Sequence, residues 1–282
     1  KQKLVALDAD LILDTGLIPF REEFPQRFFE CGIAEQDMVS IAGGMALRGL
    51  LPVVHSFACF LSARPNEQIY NNATERTKII YVGSLAGVVP GGTGHSHQAI
   101  RDISTLSSIP GLVLIEPSNE SEVSLALAWA INMNTGSTYI RLNPLPYTLN
   151  FELPKNHSLS VGQGAVLHDG QDVVIFGYGL MLLNLAMSVQ TEAVQNKVSV
   201  KVVSLPWLNR IDINWLLDVT KKIKHVVLLD NHYENGGQGT LVASVLAGRL
   251  PSHVMVTQIG VKEIPPSGTN EEVLKHLGID KD

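Results

Sequence analysis

Cysteine is scarce in this 282-residue sequence, which contains only Cys31 and Cys59. Two cysteines cannot build the disulfide framework of a small secreted scaffold, and their spacing does not match a structural zinc site. We therefore expect a reducing, cytoplasmic environment. Long apolar runs are also missing, since none approaches the roughly 18 residues that a membrane-spanning helix needs. The sequence begins with Lys1 rather than Met, which is compatible with a leader that has been removed.

Charge is low and of mixed sign. Lys and Arg number 21 against 27 Asp and Glu, which gives a net charge of -6, and charged residues make up 17% of the chain. Because the basic residues are scattered, they form no segment that would attract nucleic acid or an anionic membrane, and we expect neither as a partner. Hydrophobic residues reach 45%, the balance of a globular protein, and the length suffices for two domains.

Short runs rich in Val and Ile alternate with longer helical patterns along the whole chain. In the first half the predicted strands are residues 4–10, 51–57, 77–83, 112–117 and 137–142, and the predicted helices are 32–48, 63–76, 98–109 and 119–133. In the second half the predicted strands are 172–177, 198–205, 226–230 and 254–259, and the predicted helices are 180–195, 213–223, 240–250 and 271–277. Near-continuous apolar strands separated by helices indicate parallel sheets covered on both faces.

Residues 143–156 interrupt this alternation with Pro144, Pro146 and Pro154, a composition typical of a linker. We therefore predict two domains, residues 1–150 and 151–282. The predicted fold class is α/β, with each domain built as a mostly parallel sheet flanked by helices.

The most informative segment is residues 24–49, FPQRFFECGIAEQDMVSIAGGMALRG. It places Glu35 in the first turn of a predicted helix, where the helix dipole favours a carboxylate. The pair Gly43 and Gly44 would permit close backbone packing farther along the same helix. Taken alone, a glutamate at a helix start most often caps the helix or pairs with a neighbour, so the segment needs its context.

This segment closely resembles the motif of the transketolase and deoxyxylulose-phosphate synthase group, in which a Gly-Ile-Ala-Glu-Gln string carries the glutamate that activates thiamine diphosphate. Further segments match in the family's order and near its spacing: LDADL, HSFACF, TGHSHQ, IPGLVLIEPSNESE and YIRL, at residues 7–11, 55–60, 93–98, 109–122 and 139–142. The resemblance implies that the first domain is the family's pyrimidine-binding domain. HYENGG at 232–237 and IPPSGTNEEVLKHLG at 264–278 resemble the family's C-terminal domain, which supports dimerisation there and contributes little to catalysis.

The resemblance implies roles for the matching residues in binding thiamine diphosphate. Glu35 would exchange a proton with N1' of the aminopyrimidine, which makes it both catalytic and cofactor-binding. Phe60 would stack on the aminopyrimidine, while Phe57 would either join it or serve only the core. Asp10 matches an aspartate near the cofactor and the subunit contact.

Substrate contacts are implied for three residues. His97 matches the histidine of the family's Thr-His-Gln string, which approaches the reacting carbonyl, so it is the second predicted catalytic residue. His95 stands in the same glycine-rich loop where the family has proline, and it remains a candidate for substrate binding. Arg141 matches the arginine that grips the sugar phosphate in transketolases, a task suited to a planar bidentate donor.

Three positions depart from the transketolase pattern around the substrate phosphate. Asp14 stands where transketolases carry a phosphate-binding serine, Leu85 lies near the place of a phosphate-binding histidine, and Thr93 replaces an acidic residue. Because a carboxylate repels phosphate, we expect an acceptor that is unphosphorylated or unusual.

The sequence lacks the Gly-Asp-Gly string, with its downstream Asn, through which the family holds Mg²⁺ and the cofactor diphosphate. We therefore predict no metal ligands in this chain and expect the Mg²⁺ ligands on a separate N-terminal, diphosphate-binding subunit. An α₂β₂ heterotetramer would be the natural symmetric closure. The alternative is that the chain is a fragment of a longer protein.

The combined prediction is the C-terminal, pyrimidine-binding subunit of a two-component transketolase-type transferase, active only with its partner. It would move a two-carbon ketol unit between ketose and aldose substrates with thiamine diphosphate and Mg²⁺. The alternative is an E1 β-like subunit that transfers an acyl or ketol unit to a lipoyl or carrier-protein thiol, which the string at residues 94–98 and the altered phosphate pocket favour. A non-catalytic scaffold is disfavoured because Glu35, Phe60 and His97 are all present.

Overall fold

The computed structural model describes residues 3–143 and 146–280. It contains a six-stranded sheet in the first half of the chain and a five-stranded sheet in the second half. The predicted class, two α/β domains with mostly parallel sheets flanked by helices, is confirmed. Pro144 of the predicted linker lies outside the described residues.

The first sheet is parallel throughout, in the order β2-β1-β3-β4-β6-β5. Its strands are β1 (Lys3–Asp8), β2 (Phe28–Glu30), β3 (Leu50–Phe57), β4 (Ile80–Ser84), β5 (Val113–Ile115) and β6 (Thr138–Arg141). The central strand β4 is buried at every position. Strands covered on both faces cannot alternate apolar and polar residues, which is why the sequence shows continuous apolar runs.

Seven helices accompany the first sheet in the described part of the chain: α1 (Ile12–Thr15), α2 (Ile18–Glu23), α3 (Glu35–Leu47), α4 (Ala58–Ala63), α5 (Asn66–Thr74), α6 (Asp102–Ser107) and α7 (Glu120–Asn132). Short 3₁₀ turns lie at Pro25–Arg27 and Gly91–Thr93. None of the helices within residues 3–143 and 146–280 has the length and apolar character that crossing a membrane would require.

The second sheet has the order β11-β10-β8-β9-β7, and its edge strand β7 is antiparallel to β9. Its strands are β7 (Ala165–His168), β8 (Val173–Gly177), β9 (Val200–Ser204), β10 (His225–Tyr233) and β11 (Met255–Val261). The accompanying helices are α8 (Gly179–Gln195), α9 (Ile213–Val219), α10 (Gln238–Leu246) and α11 (Asn270–His276).

The structure differs from the sequence-based prediction in several elements, and the short helices α1 and α2 were not predicted. The helix expected over residues 63–76 is α5, which begins only at Asn66, and the separate helix α4 before it was not predicted. Pro65 lies between them, and because it has no N–H and its ring obstructs a continuous helix, the two remain separate. The short strands β2 and β7 were not predicted. Each has few buried residues, so neither carries the apolar run that reveals an interior strand.

The two sheets meet at a packed junction. Trp207, fully buried in the second domain, forms an isolated antiparallel bridge with Ile115, and its ring lies 4.8 Å from the ring of Trp129 with an edge-on orientation. The Leu114 N–H donates to Asn209 Oδ1 at 2.9 Å across the same junction. The domains therefore share buried apolar and hydrogen-bonded contacts beyond the covalent link between them.

The second domain also supports the glycine-rich loop of the first. The Gly91 N–H donates to Asn270 Oδ1 at 2.9 Å, and the Gly268 N–H donates to the Gly91 carbonyl at 3.3 Å. Gly94 has φ +69°, and a Cβ at this position would collide with the Ser267 hydroxyl. Glycine is thus required here both by the backbone conformation and by the close approach of the C-terminal domain.

Candidate active site

The candidate site lies at the carboxyl-terminal edge of the first sheet, the usual location of ligand sites in open parallel sheets. Strand β3 ends here at Phe57, and helix α4 follows it without a linker. Phe57 has an extended backbone and serves as the N-cap of α4, so the chain turns from strand to helix between Phe57 and Ala58. This turn brings Phe57 and Phe60 to the same end of the domain.

Glu35 is the first residue of α3, and only 4% of it is exposed. The preceding cap residue, Ala34, makes no side-chain cap hydrogen bond. The positive end of the helix dipole therefore lies beside the Glu35 carboxylate and stabilises it electrostatically. This confirms the sequence-based placement of Glu35 in the first helical turn.

Three rings form an aromatic cluster beside this acid: Phe57, Phe60 and His97. The ring centroids of Phe57 and Phe60 lie 5.8 Å apart, and the His97 ring lies 6.1 Å from Phe57 and 5.2 Å from Phe60. His97 Nδ1 is 2.9 Å from the Ser96 hydroxyl, which orients the imidazole. The fold thus brings together residues that are 40 positions apart in the sequence, from Phe57 to His97.

Arg64 connects the acid to the aromatic cluster. Its Nη1 donates to Glu35 Oε1 at 2.5 Å, and its guanidinium carbon lies 3.8 Å from the Phe60 ring centroid. Arg64 caps the C-terminus of α4, four residues after Phe60, a spacing that puts both side chains on one face of a helix. A planar group with N–H donors therefore fits between the Phe60 face and the Glu35 carboxylate.

That observation also tests the predicted cofactor. An aminopyrimidine ring is planar, has an aromatic face for Phe60 and a ring nitrogen for Glu35, so the residues present suit it. Metal binding is a different matter, because the described residues include no group of three or more His, Cys, Asp or Glu that could hold an ion. The chain thus offers a place for a heterocycle and no described cluster for a metal.

Asp10 lies in a neighbouring loop, with φ +62° and an exposed side chain. Its N–H and that of Gly32 both donate to Glu30 Oε1, at 2.8 and 2.9 Å. Glu30 therefore ties the Asp10 loop to the turn that leads into Glu35. The role of Asp10 near the cofactor stays a prediction.

His95 lies two residues before His97 in the same loop. It is exposed and lines a cleft of about 670 Å³ between the two domains, together with Cys59, Ser96 and Tyr233. No ring contact links it to Phe57 or Phe60 among the described residues. Substrate binding by His95 also stays a prediction.

Arg141 lies in a buried network of polar groups. It is completely buried, and its guanidinium donates to Asp102 Oδ2 at 2.7 Å, to Glu116, to the Ala99 carbonyl at 2.8 Å and to the Asn231 carbonyl at 2.9 Å. These contacts join β6 to α6 and to the second domain. All of these partners are protein groups, and the predicted grip of Arg141 on a sugar phosphate stays a prediction.

His55 is a further buried titratable group near the site. It lies on β3, only 6% exposed, with Nε2 2.6 Å from the Ser84 hydroxyl. Burial lowers the pKa of His55 to about 4, because an imidazolium in this apolar setting would lose its hydration. His55 is therefore neutral near pH 7 and contributes to packing rather than to charge.

Sequence reasoning missed Arg64 and the partners of Arg141. The four-residue spacing of Phe60 and Arg64 was a signal that could have found the former. Asp102 and Glu116 reach Arg141 from separate elements, and no local pattern in the sequence indicates that meeting.

Comparisons with known proteins agree with this geometry. Residues 1–147 match the family model described as transketolase, pyrimidine binding domain, and residues 162–282 match transketolase, C-terminal domain. A protein of Methanocaldococcus jannaschii named putative transketolase C-terminal section is 32% identical over 282 residues, which cover 99% of this chain and 87% of that protein. The transketolase of Mus musculus is also 32% identical, but the chain spans only 44% of its length.

Solved structures show the same similarity. A structure named split gene transketolase, inactive beta4 tetramer, superposes with a TM-score of 0.88 at 29% identity, covering 99% of this chain and 88% of that one. The transketolase of Campylobacter jejuni, at 19% identity, shares the fold with a TM-score of 0.81 and is covered over 42% of its length.

Together the two folded domains and their order define the pyrimidine-binding and C-terminal portion of a transferase-type enzyme. The chain belongs to the transketolase family, as both family models and its relatives show. The resemblance stated from the sequence is thereby confirmed. The relatives described above give the E1 β-like alternative no added support. The boundary between residues 150 and 151 stays a prediction, since the family models leave residues 148–161 unmatched.

Proposed function

We propose that this chain is the pyrimidine-binding subunit of a two-component transketolase-type enzyme that transfers a two-carbon ketol unit with thiamine diphosphate. The observation that carries the proposal is the paired site of Glu35 and Phe60. A nearly buried carboxylate and an aromatic face hold one planar, N–H-bearing group between them, at 2.5 Å from Glu35 and 3.8 Å from the Phe60 centroid.

When bound, thiamine diphosphate supplies a nucleophilic carbon centre for the two-carbon unit. The residues of this chain orient the cofactor and manage a proton. Phe60 fixes the plane of the aminopyrimidine by stacking, and Glu35 exchanges a proton with its ring nitrogen through a short hydrogen bond. The Phe57 and Phe60 rings exclude water from this exchange, which strengthens the electrostatic interaction between acid and base.

His97 is the proposed contact to the substrate. Its ring lies edge-on to Phe60 at 5.2 Å, and its Nδ1 is held by Ser96 at 2.9 Å. The other ring nitrogen is then available to hydrogen-bond a substrate carbonyl or hydroxyl. His97 would thus position the acceptor next to the stacked heterocycle.

A partner chain is expected to supply the diphosphate and Mg²⁺ site. Exposed apolar residues lie just before and along α3: Ile33 is 74% exposed, Ile41 37% and Leu47 63%. Ile33, two residues before Glu35, is an apolar side chain that another chain could cover. The split-gene relative, whose beta4 tetramer is described as inactive, supports a requirement for a second subunit. An α₂β₂ assembly and a cytoplasmic location remain part of the proposal.

The acceptor is proposed to be unphosphorylated. Asp14, in α1, is exposed and negative, and Arg141 is sequestered by Asp102 and Glu116. A phosphate would meet a negative charge at Asp14 and find the Arg141 cation already paired, so it would gain little electrostatic compensation. This deepens the expectation drawn from the departures in sequence.

The test is a ketol-transfer assay on the complex of this chain with a co-expressed chain that carries a Gly-Asp-Gly diphosphate domain. Glu35→Gln keeps the size of the side chain but cannot exchange the proton, so kcat is expected to fall about 10²–10⁴-fold. Phosphorylated and unphosphorylated aldoses are compared as acceptors in the same assay.

Asp37→Asn is the matched control, because Asp37 lies in the same helical turn and is exposed. It should change kcat less than about threefold, as surface substitutions usually do little. Retention of full activity by Glu35→Gln would overturn the proposal, and transfer to a lipoyl or carrier-protein thiol instead of an aldose would favour the E1 β-like alternative.

A further inference from the structure

Arg64 engages the same two groups that the proposed function assigns to the aminopyrimidine. Its Nη1 donates to Glu35 Oε1, and its guanidinium plane covers Phe60 at 3.8 Å from the ring centroid. That distance is ordinary van der Waals contact, so a second planar group cannot enter between Arg64 and Phe60. The Arg64 guanidinium and a heterocycle on this face of Phe60 therefore exclude each other.

We propose that Arg64 is a gate residue, which fills the pyrimidine place in the cofactor-free chain and must leave when the cofactor binds. This inference rests on the proposed function, since it concerns the same site. It identifies Arg64 as a residue that sets cofactor affinity. When the aminopyrimidine replaces Arg64, Glu35 exchanges the guanidinium for the heterocycle as its hydrogen-bond partner, and Phe60 exchanges the guanidinium for the heterocycle as its planar partner.

The structure favours Arg64 as the partner that moves. Its side chain is 42% exposed, whereas Glu35 is only 4% exposed and begins a 13-residue helix. Arg64 is the last residue before Pro65 and lies outside the body of α4, so its long side chain can swing into water without breaking helical hydrogen bonds. Release of the gate thus needs only rotamer changes of one side chain.

The two contacts together set the expected effect. In the closed position, the Arg64 guanidinium lies over Phe60 and pairs with Glu35. An ion pair with one exposed partner and a cation–π contact at an exposed site each favour this position by a few-fold. If both contribute, the open, binding-competent site is about 5- to 10-fold less populated than it would be without Arg64. The apparent Kd of the cofactor is raised by the same factor.

The first experiment titrates thiamine diphosphate with Mg²⁺ into the complex of this chain and its diphosphate-binding partner, followed by calorimetry. Arg64→Met keeps an apolar stem but removes both contacts, so the Kd should fall about 5- to 10-fold. Arg48→Met is the matched control, because Arg48 is an exposed arginine at the opposite end of α3 and its loss removes the same charge. Its Kd should equal that of the wild type.

Two variations separate the contacts. Arg64→Lys retains the charge but loses the planar fork and most of the stacking, so its Kd should lie between those of wild type and Arg64→Met. Raising the salt concentration screens the half-exposed ion pair of Arg64 with Glu35. The difference in cofactor Kd between wild type and Arg64→Met should therefore become smaller.

A second measurement needs neither cofactor nor activity. In this chain alone, the guanidinium of Arg64 lies over the Phe60 face, so its NMR signals should be shifted upfield by the aromatic ring. Phe60→Leu should abolish that shift while Arg48 signals stay unchanged.

The outcomes are distinct. A wild-type complex that takes up no thiamine diphosphate contradicts the proposed function itself. A wild type that binds, with an Arg64→Met Kd that is unchanged or higher, overturns the gate alone. The absence of a Phe60-dependent shift of the Arg64 signals also overturns it.

Discussion

Replacing Arg141 is the sharpest test of how the two domains are joined. Arg141→Met removes the cation from a fully buried network while keeping an apolar side chain of similar length. Asp102 and Glu116, 1% and 3% exposed, then lose their common partner. The Ala99 and Asn231 carbonyls lose a donor each.

The expected loss is about 3–5 kcal/mol of unfolding free energy, the usual effect of leaving a buried charge uncompensated. Protonation limits this loss. Burial already raises the pKa of Glu116, with Arg141 opposing the shift, so removal of Arg141 should neutralise that carboxyl. Because a typical domain is stable by about 5–15 kcal/mol, part of the free energy of unfolding should remain in Arg141→Met.

Urea unfolding followed by tryptophan fluorescence is a suitable assay, because Trp129 and Trp207 lie in contact at the domain junction. Arg101→Met serves as the control, since Arg101 is exposed and lies next to Asp102 in the sequence, and surface changes usually stay within about 0.5 kcal/mol. Adding Glu116→Gln to Arg141→Met should recover part of the loss, because an amide at position 116 is neutral without the free-energy cost of protonating a carboxylate.

The reasoning is refuted if Arg141→Met is as stable as the Arg101→Met control. If, in addition, the KM for a phosphorylated substrate rose at least about tenfold with folding intact, the ligand role expected from the sequence would be restored. A large loss of stability without a change in KM of the remaining folded enzyme supports the structural role.

Two further predictions concern stability. Burial lowers the pKa of His55 from 6.5 to about 4. As the pH falls, the imidazole is therefore protonated in the unfolded chain before it is protonated in the folded chain. The free energy of unfolding should decline by up to about 3 kcal/mol between pH 6.5 and pH 4. His55→Gln should lose less stability between pH 7 and 5 than the wild type in urea titrations, and parallel declines would contradict this. Asn270→Ala leaves the buried Gly91 N–H without its acceptor and should destabilise the chain by about 1–2 kcal/mol, whereas the exposed control Asn214→Ala should not; equal urea midpoints would refute it.

Much of the fold could be predicted from local patterns. The apolar runs that became β3, β4 and β6 are buried on both faces, so continuous hydrophobicity marks them directly. The position of Glu35 at the start of α3 was equally readable, because the helix predicted over residues 32–48 begins just before it. The edge strands β2 and β7 escaped prediction because partly exposed strands of three or four residues leave no apolar run.

The candidate site was predictable in its members but not in its contacts. Family resemblance pointed to Glu35, Phe60 and His97, and the fold places the ring centroids of Phe60 and His97 5.2 Å apart. The same resemblance suggested a substrate role for Arg141, which the fold instead surrounds with two carboxylates. A motif identifies residue types in order along the chain, but it does not specify what each side chain faces.

The sequence by itself determined the alternation of strands and helices, the two-domain α/β class and the family, because these depend on periodicity and on ordered local strings. Only the tertiary structure decided that Arg64 pairs with Glu35, and that Arg141 joins the two domains. Such pairings depend on distances between residues 25 to 90 positions apart, as in Arg141 with Glu116 and with Asn231, and these are set by packing rather than by any local pattern.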